Sequence, residues 1–116
     1  METGNEEQIL SGIIQEMRRG TITLAVLSQL REPQYGYSLI AHMSEKGFVI
    51  EANTLYPLLR RLEKQGLLES LWDTDGSKPR KFYKMSPTGA DVYGKLCRAW
   101  SEVNQSVWQL IEGEEV

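Results

Sequence analysis

The chain has 116 residues, the usual length of one globular domain, and its composition is ordinary for a protein with one hydrophobic core. One cysteine, Cys97, excludes an internal disulfide and fits a reducing compartment, and one histidine, His42, leaves no Cys/His set for a metal ion. No segment approaches the roughly 18 apolar residues that cross a membrane, and the acidic, polar start does not resemble a signal peptide, so we expect a cytoplasmic protein.

The net charge of −3 is distributed unevenly along the chain. Residues 53–85 carry seven basic and four acidic side chains, whereas residues 1–52 and residues 86–116 each carry three more acidic than basic side chains. A local basic surface favours contact with phosphates even when the whole chain is acidic. Charge alone leaves two interpretations open, a phosphate-binding surface and a chance cluster on a solvated face.

Two amphipathic helices are predicted at the start of the chain. In residues 7–18 the apolar side chains recur at the i, i+3, i+4, i+7 spacing of one helix face, and Gly20 ends the helix. These side chains are Leu10, Ile13, Ile14 and Met17. Thr21 or Thr23 is a suitable N-cap for a second helix, whose apolar face carries Leu24, Leu27 and Leu30. The second helix should end at Glu32-Pro33, because the residue before a proline disfavours the α region.

Two further helices are expected between Gly36 and Gly66. The third ends at Gly47 and should turn four residues towards the core, namely Tyr37, Ile40, Ala41 and Met43. The fourth, residues 53–65, has Asn53 or Thr54 as a suitable N-cap, and Gly66 stands where a helix C-terminus is expected. One of its faces groups Leu55, Leu58, Leu59 and Leu62. The opposite face carries Asn53, Tyr56, Pro57, Arg60 and Lys64.

A β-hairpin and a long helix complete the predicted elements. Residues 68–72 and 81–85 read as strands around a turn-rich segment, at whose tip Asp73 and Asp75 should be solvated. Ser86 can cap the last helix, and Pro87 suits its first turn. The helix has apolar residues at heptad spacing, which indicates packing against a second copy or against its own domain. They are Tyr93, Leu96, Trp100, Val103, Val107 and Leu110.

Three helices followed by a two-stranded wing form a winged helix-turn-helix. We therefore predict a mainly α fold with a small β-hairpin wing and a long C-terminal dimerisation helix. Residues 1–86 would be the DNA-binding domain with its N-terminal helix, and residues 87–116 the dimerisation helix, in one compact unit. One α-helix fits the major groove of DNA. The candidate DNA-binding residues are Asn53, Thr54 and Tyr56 for bases or phosphates, Arg60 and Lys64 for phosphates, and Lys78, Arg80 and Lys81 of the wing for the flanking backbone or minor groove.

Three segments of the chain carry specific motifs. They are Pro33-Gln34-Tyr35-Gly36-Tyr37, then residues 54–63 (beginning Thr54-Leu55-Tyr56-Pro57) with Gly66-Leu67-Leu68, and finally residues 80–89, which run from Arg80-Lys81 to Ser86-Pro87-Thr88-Gly89. With these motifs the chain resembles the PadR family of transcriptional regulators over about residues 15–105. Phe82 and Met85 depart conservatively from the family pattern. The resemblance implies a homodimer that binds a palindromic operator in double-stranded DNA and represses until an effector binds.

The resemblance also implies where the effector would bind. The chain looks like the short subgroup of the family, in which the C-terminal helices can enclose a flat pore with a tryptophan that stacks on planar aromatic ligands, such as phenolic acids or hydrophobic drugs in multidrug-efflux control. Trp100 matches that tryptophan, and the candidate ligand-binding residues are Trp100, Val103, Leu96 and Ile14. Acids at Glu102, Glu16 or Glu7 would favour a cationic ligand. A filled interface, in which Trp100 only packs, is the alternative.

Other functions are less well supported by the residues. The chain has no Gly-rich phosphate loop, no metal-ligand set and no histidine placed to serve a nucleophile, so we expect neither an enzyme nor a cofactor. A winged helix can also bind a protein partner, in which case the outer face of helix 53–65 would expose apolar residues. Asn53, Arg60 and Lys64 favour DNA on this criterion.

Overall fold

The computed structural model describes residues 2–113, which form five helices and a three-stranded antiparallel sheet. The helices are α1 (Glu2–Arg19), α2 (Ile22–Ser28), α3 (Gly36–Glu45), α4 (Ala52–Lys64) and α5 (Pro87–Glu112). The strands are β1 (Gln34–Tyr35), β2 (Leu68–Asp73) and β3 (Arg80–Met85), in the spatial order β1-β3-β2. The mainly helical fold with a small β wing is the one that the sequence predicts.

The hydrophobic core lies between α2, α3, α4 and the sheet. The four leucines of the apolar face of α4 are all buried in it, as predicted from their spacing. The other buried apolar residues are Val26, Leu27, Leu30, Leu39, Met43, Ile50, Leu68, Tyr83 and Met85. Burial of this one face fixes the opposite face of α4 towards solvent.

Of the predicted caps of α2 and α4, the first is correct in position only and the second is wrong. Thr21 is the N-cap residue of α2, but its hydroxyl donates to the carbonyl of Arg18 (2.9 Å) and accepts from no helix N–H. At α4, the carbonyl of Glu51 already accepts from the N–H groups of Thr54 (3.0 Å) and Leu55 (2.9 Å), so the helix begins at Ala52. Neither Asn53 nor Thr54 is the N-cap, because both already lie inside the first turn.

The inward face of α3 differs from the predicted one. Gly36, Leu39 and Met43 are buried, and Ile40 is half-buried, whereas Tyr37 and Ala41 are exposed. At 100° per residue, positions 37 and 41 lie roughly 100° or more from the axis of the buried stripe. The prediction placed both residues on the wrong side because the apolar residues of this ten-residue helix cover more than half of its circumference, so their pattern does not single out the buried stripe.

Strand β1 was not predicted, and its presence changes the surroundings of Asp73. Gln34 and Tyr35 pair with Tyr83 and Phe82 of β3. The expectation that Asp73 is solvated at a loop tip is wrong, because β2 extends to Asp73 and the hydroxyl of Tyr35 donates to its carboxylate (2.6 Å). Asp75 is exposed, as predicted.

Ser86 joins α5 to the rest of the domain. Its hydroxyl accepts from the N–H of Gly89 (2.9 Å), which confirms the predicted cap, and donates to the carbonyl of Gly66 (2.7 Å). Its own N–H donates to the carbonyl of Leu67 (3.0 Å). A Cβ at Gly89 would overlap the carbonyl oxygen of Leu67 and lie 3.0 Å from its carbonyl carbon. The start of α5 is therefore fixed against the turn between α4 and β2.

Helices α1 and α5 expose most of their apolar side chains. Tyr93 and Leu96, near the start of α5, pack partly against the core of their own chain. The exposed apolar residues beyond them are Trp100, Val103, Val107, Trp108, Leu110 and Ile111 on α5, and Ile9, Leu10, Ile13, Ile14 and Met17 on α1. Cys97 is half-buried and His42 is exposed. Within residues 2–113 no helix combines the length and apolar content that crossing a membrane requires.

Candidate nucleic-acid interface

The outer face of α4 is polar and basic. The side chains of Asn53, Thr54, Arg60 and Lys64 are exposed along it, over more than two helical turns. Such a face offers long donors to bases and phosphates, while the buried leucines on the opposite side anchor the helix. The structure thus brings these four predicted DNA-binding residues to one surface.

Tyr56, the fifth candidate on α4, is half-buried against α3. A Cβ at Gly36 would lie 2.6 Å from the Tyr56 hydroxyl and closer still to the ring, so only glycine leaves room for this side chain. Gly36 and Tyr56 are therefore one packing unit that sets the position of the tyrosine at the edge of the exposed face.

Glu63 fastens the wing to α4. Its carboxylate accepts from the hydroxyl of Ser70 on β2 and forms an ion pair with the ammonium of Lys81 on β3 (3.3 Å). The Ser70 hydrogen bond, with the bond to Lys81, lowers the pKa of Glu63 against the opposing effect of burial. Burial opposes the charge of Lys81, but the bonds to Glu63 and Tyr83 outweigh it and raise the pKa of Lys81. Lys81, a predicted DNA-binding residue, thus has an intramolecular partner.

Arg80, at the start of β3, lies in an aromatic cluster with Tyr35 and Tyr37. Its guanidinium lies 4.6 Å from the centre of the Tyr35 ring and donates to the Tyr37 hydroxyl (3.1 Å). The two tyrosine rings stack with centroids 5.7 Å apart and an interplanar angle of 9°. The hydrogen bond from Tyr35 lowers the pKa of Asp73, and the same bond raises the pKa of Tyr35.

The rest of the wing extends into solvent. Lys78, the predicted contact near its tip, and Lys84 on β3 are exposed. The loop is shaped by a hydrogen bond from the N–H of Asp75 to the carboxylate of Asp73 (3.1 Å). Of the basic side chains of the wing, Arg80 thus lies in the aromatic cluster and Lys81 is bonded to α4, whereas Lys78 and Lys84 face solvent.

Two grooves meet at Trp100 on α5. One, of about 410 Å³, is lined by Met17, Arg18, Thr21, Trp100, Val103, Asn104 and Val107. The other, of about 270 Å³, is lined by Thr21, Leu24, Ala25, Ser28, Phe48 and Trp100. Of the predicted ligand-binding residues, Trp100 and Val103 line these grooves, whereas Leu96 and Ile14 do not. The predicted acids Glu7, Glu16 and Glu102 are exposed and lie outside both linings.

Arg18 links helix α1 to the segment that precedes α4. Its guanidinium donates to the carbonyl of Val49 (3.0 Å) and lies 5.1 Å from the centre of the Phe48 ring. Val49 is two residues before Glu51, whose carbonyl begins the hydrogen-bond ladder of α4. One side chain thus contacts both the groove at Trp100 and the approach to the outer face of α4.

The residues that sequence reasoning missed belong to long-range contacts. Tyr35 bonds to Asp73, 38 positions away, and Tyr37 to Arg80, 43 positions away. Arg18 bonds to a residue 31 positions away. The one local signal was the dipeptide Gly36-Tyr37, in which an aromatic residue follows a glycine at a helix start. This signal indicates that position 36 requires glycine, but it does not identify Tyr56 as the side chain that occupies the space beside it.

Comparison with known proteins identifies the family of the chain. The chain is similar to a PadR family transcriptional regulator from Eggerthella lenta DSM 2243, with 48% identity and a TM-score of 0.91 over 95% of this chain and 98% of that one. It is 30% identical over 95 residues to Transcriptional regulator Rv3488 of Mycobacterium tuberculosis (strain ATCC 25618 / H37Rv), which covers 81% of this chain and 89% of that protein.

A third similarity concerns the fold alone. Bacillus subtilis PadR, whose crystal structure is in complex with operator DNA, matches with 21% identity and a TM-score of 0.62 over 66% of this chain and 45% of that chain.

The family described as Transcriptional regulator PadR-like matches residues 23–95, more than half of the chain. The chain therefore belongs to the PadR-like family of transcriptional regulators.

Proposed function

We propose that this regulator is a dimeric repressor that binds a palindromic operator in double-stranded DNA. The observation that carries the proposal is the polar and basic outer face of α4 beside a basic wing. The N-terminal part of a recognition helix meets base edges in the major groove. Asn53 and Thr54 are then the base-reading candidates, and Arg60 and Lys64 are the phosphate contacts. Bacillus subtilis PadR, which shares the fold and was crystallised in complex with operator DNA, supports the proposal that the chain binds DNA.

The dimer would form through α1 and α5. In the single chain both helices expose apolar side chains, and a large exposed apolar surface is typical of an interface with another protein. Trp100, Val103, Val107 and Leu110 continue the heptad spacing towards the end of α5, where they would meet their copies on the partner subunit or α1 of the partner. Tyr93 and Leu96 would support the interface from the core side. A two-fold dimer would place two α4 helices about one DNA turn apart.

The effector would bind in the grooves at Trp100. A planar aromatic molecule could stack on the Trp100 indole, which is 48% exposed in the single chain. Arg18 is the charged residue among the described residues that line the two grooves, so the site favours neutral or anionic aromatics over cationic ones. This preference fits a phenolic acid better than a cationic drug.

Arg18 would couple effector binding at Trp100 to the position of the recognition helix α4. A ligand that displaces α1 at Trp100 would also shift Val49 and the start of α4. The separation of the two recognition helices would then no longer match the two half-sites. A ligand changes the DNA affinity only by its difference in affinity between the two arrangements.

DNA binding is tested by fluorescence anisotropy with the upstream region of the gene and a random duplex of equal length, at two salt concentrations. We expect tight, selective and salt-sensitive binding, because each neutralised phosphate contributes about 0.9 to the salt slope. Arg60→Met should lower affinity for both duplexes, and Arg98→Met, an exposed arginine on α5, is the matched control. Binding no better than to random DNA, there and in a wider operator screen, would move the assignment to a protein-interaction module.

Effector binding is tested by tryptophan fluorescence with a phenolic acid and with a planar cationic dye. We expect quenching by the phenolic acid and release of the operator, both lost in Trp100→Ala. Trp72→Phe, on the wing, should leave the quenching of the other tryptophans intact. Absence of quenching would leave a repressor with a filled interface, and operator affinity that persists at saturating ligand would contradict release by the effector.

A further inference from the structure

A cleft of about 340 Å³ lies between the outer face of α4 and the wing. Tyr56 of α4, Tyr37 of α3, and Arg80 and Lys81 of β3 are among its lining residues. A DNA strand that runs from the major groove at α4 to the flanking minor groove at the wing has to pass over this cleft. The part of the strand between the grooves is sugar-phosphate backbone, so the cleft would face a phosphate and not a base.

Two donors lie side by side at the rim of the cleft. The guanidinium of Arg80 donates to the oxygen of the Tyr37 hydroxyl (3.1 Å), and Tyr37 is 56% exposed. A hydroxyl has one proton to donate in addition to the lone pairs that accept. With Arg80 bound to its oxygen, the Tyr37 proton can point to a second acceptor. Further N–H groups of the Arg80 guanidinium fork can reach the same acceptor.

Arg80 and Lys81 differ in their availability for an anion. In the part of the chain that the structure describes, Lys81 forms an ion pair with Glu63, whereas Arg80 forms none. The guanidinium of Arg80 instead stacks on Tyr35, whose hydroxyl is tied to Asp73. The Asp73 carboxylate is the cross-strand partner of Arg80, and the Arg80 charge adds to the hydrogen bonds from Tyr35 and Asp75 that lower the pKa of Asp73, but within the described residues the two form no ion pair. Stacking on Tyr35 restricts the arginine, so less side-chain freedom is lost when a ligand binds. Tyr35 and Asp73 are thus positioning residues for Arg80.

We propose that this cleft binds one phosphate of the operator backbone in each half-site, with the Tyr37 hydroxyl and the Arg80 guanidinium as its donors. The inference rests on the proposed DNA-binding function and adds to it a residue that the sequence pattern assigned to the core. The phosphate oxygens would replace solvent at the two donors, and the tyrosine rings would shield the contact from water. The contact is independent of base sequence, and it fixes the distance between α4 and the wing along the duplex.

The first test compares Tyr37→Phe and Arg80→Met on the operator, located by footprinting, and on a random duplex. A hydrogen bond to a charged group contributes enough for about a tenfold change, and a dimer would carry each change twice. We therefore expect Tyr37→Phe to weaken both complexes by the same factor, between about ten and a hundred, with an unchanged salt slope. Arg80→Met should in addition lower the salt slope by about 1.8 for the dimer, twice the 0.9 of one phosphate contact.

The second test identifies the phosphate. Each operator phosphate is replaced singly by a neutral methylphosphonate, and affinities are measured for the wild type and both variants. At one phosphate in each half-site, the neutral replacement should weaken DNA binding by the wild type. On DNA modified at that phosphate, the affinities of the wild type and of each variant should differ much less than on unmodified DNA. Tyr35→Leu should weaken binding in the wild type but cause little further loss in the Arg80→Met background, because it acts through Arg80.

The outcomes separate this inference from the proposed function. Wild-type affinity in Tyr37→Phe, or coupling of the two variants to different phosphates, would overturn the shared phosphate site while operator recognition stands. A wild type that binds neither duplex would overturn the proposed function, and this inference with it. Tyr37 is exposed and phenylalanine preserves the ring that stacks on Tyr35, so thermal unfolding should match the wild type.

Discussion

The ring of Tyr56 occupies the space that the side chain of any residue other than glycine would fill at Gly36. Gly36 is buried at the first position of α3, and Tyr56 lies on the first turns of α4. Gly36 and Tyr56, twenty positions apart in the chain, meet because α3 packs against α4. The contact determines how closely the two helices approach and forms one edge of the tyrosine-lined cleft.

Gly36→Ala should destabilise the protein by about 1–3 kcal/mol, because the new Cβ overlaps the Tyr56 side chain and forces it to move. Chemical denaturation of four proteins measures the effect: the wild type, each single variant and the double variant with Tyr56→Ala. The cost of Gly36→Ala should be much smaller in the Tyr56→Ala background. An equal cost in both backgrounds would mean that the backbone of α3, and not Tyr56, requires glycine.

Gly89→Ala should be more damaging than Gly36→Ala. The new Cβ would overlap a backbone carbonyl, that of Leu67, which cannot rotate away as a side chain can. We expect a loss of about 3 kcal/mol or more, or failure to fold, since overpacking against a fixed neighbour lies at the upper end of such costs. Gly94→Ala, where a Cβ meets nothing within 4 Å in the single chain, is the control and should keep or raise stability.

Ser86→Ala tests the same joint with a milder change. It removes the bond to the N–H of Gly89 and the bond to the carbonyl of Gly66, and we expect a loss of about 1–2 kcal/mol in thermal or chemical unfolding. Ser86→Thr retains a hydroxyl and should recover most of the loss. No difference between alanine and threonine at this position would show that the hydroxyl is not what fixes α5.

Val107→Glu should dissociate the proposed dimer. Val107 is exposed in the single chain, in line with Trp100 and Val103, and a buried unpaired carboxylate at an interface is strongly unfavourable. Sedimentation equilibrium should give a monomer, and operator affinity should fall because each half-site is then bound alone. Gln105→Glu makes a similar charge change on the same helix outside the apolar positions and should remain dimeric. A dimeric Val107→Glu would place the interface elsewhere.

Glu63 should make stability depend on pH in the acidic range. Its pKa is lowered in the folded protein by Ser70 and then by Lys81, so its contribution is complete above the ordinary carboxyl pKa and is lost as pH falls through the folded value. The difference in free energy of unfolding between the wild type and Glu63→Gln should therefore shrink from about pH 7 to about pH 2. Glu69→Gln, an exposed carboxylate on β2, is the control. A difference that does not vary with pH would contradict a stabilising contribution from the ionised Glu63 carboxylate.

The sequence predicted the elements whose pattern is local and repeated. Four leucines at helical spacing determined which face of α4 is buried, and Ser86-Pro87 determined where α5 begins, because both depend on neighbours within one or two turns. The outer face of α4, and with it four of the candidate DNA-binding residues, followed directly. These predictions needed no knowledge of the tertiary fold.

The remaining features depend on contacts between distant segments. A two-residue strand such as β1 has no periodicity, and its existence depends on pairing with β3 nearly fifty positions later. Tyr37 was placed in the core because tyrosine is partly apolar, although its hydroxyl bonds to Arg80 at the surface. The partner of Lys81 could not be predicted because Glu63 lies on another element, and only the fold brings the two charges together.

The hydrogen bonds of Ser86 connect the long helix α5 firmly to the rest of the domain. Three hydrogen bonds and the close packing of Gly89 hold the start of α5 against the turn between α4 and β2, so a reorientation of α5 would carry α4 and the wing with it. At 1.5 Å per residue, the 26 residues of α5 span roughly 39 Å. A rotation of only about 5° at one end displaces the other by roughly 3.4 Å, the rise of a single base pair. Small adjustments at an interface on α5 would thus be converted into shifts of a whole step along the duplex.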